Sequence, residues 1–102
     1  MKKKKLIRQK FREDVFKRDN FSCVICGKPA KDAHHIIDRS LWPDEGYHLD
    51  NGVSLCEEDH KKAEEGKITC DELRKAAKIK KVLLPPRFKK NLSYDKWGNL
   101  LS

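Results

Sequence analysis

No stretch of this 102-residue sequence is long and apolar enough to span a bilayer, and none has the uninterrupted hydrophobic run of an export signal. Lys2 to Lys5 give a charged start, but Leu6 and Ile7 yield at once to Arg8, Gln9 and Lys10. The expectation is a soluble intracellular protein, working in a cytoplasm with its cysteines reduced. Apolar residues are also scarce: 37% of the chain is hydrophobic and 39% is charged. There is room for one domain, and a core this small calls for a staple. Repeats are absent, and Lys2 to Lys5 is the only low-complexity piece. Four cysteines remain as the staple, and without an export signal metal ligation is favoured over disulfides.

Negative charge is in deficit, with 16 Asp/Glu against 24 Lys/Arg for a net charge of +8, which suggests a polyanionic partner. The distribution is uneven. Residues 1–22 carry nine Lys/Arg against three Asp/Glu, and residues 67–102 carry ten against three. Residues 23–66 reverse the balance, five basic against ten acidic, and hold all four histidines and three of the four cysteines. This layout suits a compact metal-binding core between basic arms that hold a phosphate backbone. The bland alternative for the lysine-rich start is a frayed, solvated tail.

Phe11, Val15 and Phe16 have the spacing of a short amphipathic helix ending near Asp19 and Asn20. Cys23-Val-Ile-Cys26-Gly27-Lys28-Pro29 reads as a tight turn that converges two thiols. Ala33 to Ile37 and Gly52 to Leu55 suit short strands, joined by a connection too long for a simple hairpin and therefore a candidate for substrate contact or for positioning a site. From Cys56 to Glu65 the pattern is helical, with Glu57 and Glu58 in the first turn and Gly66 past the end. Thr69-Cys70-Asp71-Glu72 has the form of a capping box, opening a second helix that stops before Pro85-Pro86. The remainder, with Tyr94 and Trp97, is read as a strap across the core or a tail that orders on DNA. One domain is expected over 1–102: a basic arm and helix at 1–19, the core at 20–66, and a basic helix and tail at 67–102.

Two constellations carry chemistry. Cys23 and Cys26 followed by Cys56 at a helix start match the paired-ligand logic of a structural zinc site. Its fourth ligand is open: Asp59 stands at i+3 from Cys56, with His60 and Cys70 as alternatives. The second constellation is His34 and His35 on the first strand, Asn51 before the second, and His60 in the helix. His48 is read as a surface or packing residue. Neutral imidazoles bind a divalent ion that stabilises a charged phosphate and its leaving oxygen, while another imidazole takes the proton from water. That is the chemistry of phosphodiester hydrolysis.

Arg18-Asp19, Cys23-x-x-Cys26-Gly27, Ala33-His34-His35-Ile36-Ile37, Asn51-Gly52-Val53-Ser54-Leu55-Cys56 and His60 together resemble the HNH endonucleases, particularly small bacteriophage members. The resemblance covers roughly residues 11–66. It implies an α+β fold with a small zinc-stapled ββα-metal core between N-terminal and C-terminal helices. It further implies His35 as general base, His34 and His60 as ligands of a Mg2+- or Mn2+-like ion, and Asn51 as a brace orienting the catalytic histidine. The implied zinc ligands are Cys23, Cys26, Cys56 and Asp59, the last departing from the cysteine or histidine that many relatives place there. The implied activity is nicking or cutting of double-stranded DNA to 5′-phosphate and 3′-hydroxyl ends, in a bacterial host's cytoplasm and in phage DNA packaging beside terminase or portal proteins. Arg18 and Arg39 are candidate phosphate contacts. Adjacent residues on a regular strand point to opposite faces, so a site using both His34 and His35 requires the strand to bend or end there. The competing function is a zinc-stabilised DNA-binding or assembly module without catalytic activity.

Overall fold

The computed structural model describes residues 2–101, with side chains from Ile7 onward. The Lys2 to Lys5 side chains, expected near phosphate, lie outside the described ones, although their backbone is helical. Helix α1 spans Lys2–Arg18, longer than its apolar stripe indicates, and its C-terminal half packs on the core. There Phe11 and Val15 are buried, one turn apart. The helix ends where Asn20 and Phe21 take left-handed conformations and the Phe21 N–H returns to the Phe16 carbonyl at 2.8 Å.

The thiol-bearing turn follows. Gly27, at φ +81°, lets the chain reverse so that the Cys23 N–H meets the Lys28 carbonyl at 2.7 Å. Strand β1 (Asp32–His35) then pairs antiparallel with β2 (Gly52–Leu55) in the register Asp32 to Leu55 and His35 to Gly52. The sequence pattern extends the first strand to Ile37, whereas the ladder ends at His35. Asn51 is the physical reason. Its backbone carbonyl accepts from the Ile36 N–H at 2.8 Å, and its side-chain amide clamps Ile37 through N–H···Oδ1 at 3.0 Å and Nδ2–H···O at 3.1 Å. A side chain thus replaces the next rung and turns the chain out of the sheet.

The connection from Ile36 to Asn51 is ordered by two 3-10 turns, Arg39–Leu41 and Leu49–Asn51, and by Trp42, buried with Gly46 against its indole. Helix α2 (Glu57–Glu64) begins on Cys56, whose sulfur accepts the Asp59 N–H, and ends at Gly66 with φ +79°. Helix α3 (Cys70–Ala76) starts on the complete Thr69–Glu72 capping box. Among the described residues from Ala77 on there is no regular helix, and the chain crosses back over the molecule. Asp95 accepts the Trp97 and Asn99 N–H groups, closing a turn, and the Lys96 carbonyl accepts the Asp38 N–H at 2.9 Å. This segment is a strap, not a free tail.

The fold is α+β, a ββα-metal-like core of β1, β2 and α2 flanked by α1 and α3. Ile36, Ile37, Val53, Leu55 and Leu73 fill its interior. Among the described residues no helix is long and apolar enough to cross a membrane.

Candidate metal centres and active cleft

The turn and the start of α2 bring four donors together. One atom each from Cys23, Cys26, Cys56 and Asp59 lies within 4.8 Å of the others. The Cys23 and Cys56 thiols donate to Asp59 Oδ2 at 3.2 and 3.4 Å, and Cys26 and Cys56 sulfurs stand 3.6 Å apart. Burial opposes ionisation of Asp59, but hydrogen bonds from the Cys26, Cys23 and Cys56 thiols outweigh it and hold the carboxyl below its ordinary pKa. Three sulfurs and one carboxylate, with Cys26 exposed and the other three donors buried, are the donor set of a structural zinc site.

The second cluster is formed by β1 and α2. His34, His60 and Glu64 also place donor atoms within 4.8 Å of one another. Glu64 Oε1 is 3.2 Å from His60 Nε2 and 3.8 Å from His34 Nδ1, while His60 Nδ1 is fixed by Asp32 Oδ2 at 3.0 Å. His34 is only 2% exposed, and neither of its ring nitrogens has a partner among the described residues. Burial, reinforced by Lys96, His60 and His35, lowers its pKa to about 2, so the ring is neutral, the form that binds metal. Two unpartnered buried nitrogens beside an imidazole and a carboxylate fit a divalent ion.

Both histidines of the pair face one cleft of about 330 Å3, because β1 ends at His35. The His35 ring stacks on Phe11 at 4.6 Å between centroids and meets the Tyr47 ring edge-on at 5.2 Å. Its Nε2 is buried without a partner. Burial, then Lys96 and Arg39, lower its pKa to about 4, so the ring is neutral at neutral pH. Arg8, Arg12, Arg39 and Lys96 line the same cleft, with Arg8 and Arg39 both donating to the Tyr47 hydroxyl at 3.3 and 3.4 Å.

The family model described as HNH endonuclease matches residues 23–66, the span that carries both clusters. Residues 23–66 are an HNH endonuclease domain. No curated protein and no solved structure matches the chain. The HNH domain holds a metal-dependent, nuclease-type active site at His34, His60 and Glu64, apart from its zinc-type cluster.

Within the HNH domain, Asp59 stands with the three cysteines and His60 with the cleft. Cys70, the remaining candidate for the zinc cluster, instead directs its thiol to the Ile36 carbonyl at 3.4 Å, where burial raises its pKa to about 11. Asn51 is fully buried, and its side chain binds the Ile37 peptide and the Gly46 carbonyl. It therefore braces the segment leaving His35, while Phe11 and Tyr47 hold the His35 ring itself. Arg39 lines the cleft. Arg18 does not: its guanidinium is spent on Asp19 and on the Leu49 and Gly52 carbonyls, tying α1 to β2. His48 pairs with Asp44 at 3.0 Å beside Trp42.

Asp32, Glu64, Arg8, Arg12, Tyr47 and Lys96 were not put forward from the sequence as ligands or phosphate contacts. Glu64 had a readable signal, since it lies one helical turn after His60 on the same face. Lys96 had none, being 61 positions from the His35 carbonyl it meets.

Proposed function

We propose that the whole chain, 1–102, is one nuclease unit that hydrolyses a phosphodiester bond of double-stranded DNA, nicking or cutting it. His35 is the general base, His34 and His60 with Glu64 hold a Mg2+- or Mn2+-like ion, and zinc on Cys23, Cys26, Cys56 and Asp59 staples the core. The observation that carries this reading is the meeting, in one cationic cleft, of the unpartnered His34 nitrogens, the His60–Glu64 pair and a neutral His35.

The scissile phosphate enters against Arg39, Arg8 and Arg12, whose charges hold the backbone without reading bases. His34, His60 and Glu64 would hold a divalent ion, which when bound would supply positive charge for the phosphate and its departing oxygen. His35 takes a proton from water as the water oxygen bonds phosphorus, and the P–O3′ bond breaks as the electron pair leaves on O3′, which takes a proton from solvent to become the 3′-hydroxyl. The Asn51 carbonyl, accepting the Ile36 N–H, keeps the His35–Ile36 peptide in place, and the contacts of His35 with Phe11 and Tyr47 fix the ring's plane. A phage packaging role beside terminase or portal proteins, in a bacterial cytoplasm, rests on the resemblance to small bacteriophage members.

Supercoiled plasmid with Mn2+ tests the base. His35→Ala is expected to slow nicking by about 10²- to 10⁴-fold with DNA affinity retained. Equal nicking by that variant removes His35 from the chemistry. DNA binding with no nicking by wild type, in any divalent ion, selects the zinc-stabilised binding module instead.

A further inference from the structure

The HNH domain ends at residue 66, yet the C-terminal strap places one more charge beside its metal cluster. The Lys96 ammonium donates to the His35 carbonyl at 3.0 Å and lies 3.6 Å from Glu64 Oε1 and 3.8 Å from Asp38 Oδ1. Its side chain is only 10% exposed, and its own carbonyl is pinned by the Asp38 N–H. The oxygen it faces, Glu64 Oε1, is the one that meets His60 Nε2 and His34 Nδ1. An ion held by those three groups shares that oxygen with a fixed ammonium.

We infer that Lys96 makes divalent-ion binding at His34, His60 and Glu64 depend on DNA. The inference rests on the assignment of that cluster as the ion's site. Two positive charges a few ångströms apart in a partly buried cleft repel strongly, so Lys96 weakens ion binding in the free protein. A phosphate entering the cleft lies against both charges and offsets the repulsion. Coupling of this kind is reciprocal: DNA tightens the ion, and the ion tightens DNA. Were Lys96 only a tie for the strap, its removal would destabilise the fold and leave ion affinity unchanged or weaker.

The test is calorimetric titration of Mn2+ into zinc-loaded full-length protein carrying His35→Ala, which holds DNA uncut, with and without a short duplex. Adding Lys96→Met is expected to tighten Mn2+ binding about tenfold in the absence of DNA, at unchanged zinc content. The tightening caused by DNA is expected to shrink by the same factor. Unchanged or weaker Mn2+ binding in a well-folded Lys96→Met protein overturns the inference. If Lys96→Met does not fold, the parent still decides it, since DNA that leaves its Mn2+ affinity unaltered overturns it equally. A parent that binds no Mn2+ beyond the zinc site refutes the His34–His60–Glu64 assignment, and this inference falls with it.

Discussion

A buried imidazole with neither nitrogen bonded costs roughly 1–3 kcal/mol for each unsatisfied polar group, so His34 is a liability to the fold unless an ion uses it. Its pKa, lowered to about 2, also ties stability to pH. Above pH 6.5 the ring is neutral in both the folded and unfolded chains and contributes no pH dependence. Below 6.5 the unfolded chain takes the proton and the folded one does not, so stability falls as pH drops from 6.5 toward 2. Chemical denaturation of metal-free protein at pH 7 and pH 5 is expected to show wild type losing more stability than His34→Gln. The difference approaches about 1.4 kcal/mol per pH unit at most. Equal pH slopes contradict a neutral buried His34. Gly52 bears on His35 in a similar way. A Cβ there would lie 2.6 Å from both Phe11 Cζ and Val15 Cγ2, so Gly52→Ala must push α1 away together with the ring that stacks on His35. Destabilisation of about 1–3 kcal/mol is expected, read by urea denaturation. An unaltered midpoint would mean that α1 docks more loosely than these contacts require.

Elements defined by neighbouring residues were legible in the sequence, and those defined across the fold were not. The Cys23–Cys26 turn, the Thr69–Glu72 capping box and the Gly66 terminus each depend on a few consecutive side chains and stand where their patterns put them. The end of β1 depends on Asn51, which approaches Ile37 from fourteen residues away. The length of α1 escaped its apolar stripe because the stripe, Phe11 and Val15, lies in the C-terminal half of the helix. Helix α2 shows the limit most clearly. Asp59 and His60 are consecutive, about 100° apart around the helix, and both are reasonable zinc ligands by type. Only the docking of α2 on β1 turns Asp59 to the thiols and His60 to Asp32 and Glu64. Zinc per chain, measured by elemental analysis, is expected to drop in Asp59→Ala and to persist in His60→Ala. The reverse pattern would exchange the two residues' roles.

Over the whole molecule, the basic termini and the acidic middle divide the work. The acidic segment supplies Asp32, Asp59 and Glu64 to the two clusters, so part of its charge is turned inward to metal ligands and their supports. The basic segments close over it from both sides: α1 brings Arg8 and Arg12 to the cleft, and the strap brings Lys96. The matched span therefore holds the metal clusters and His35, while most of the cleft's positive charge comes from outside it. Composition alone foretold basic arms around a metal core, but not that they build the walls of the site. The division of labour between the clusters is tested most directly by plasmid nicking with His60→Ala protein that retains its full zinc complement and binds DNA. The expected result is no nicking at any Mn2+ concentration that supports the wild type. Nicking at the wild-type rate would contradict a catalytic ion on His34, His60 and Glu64.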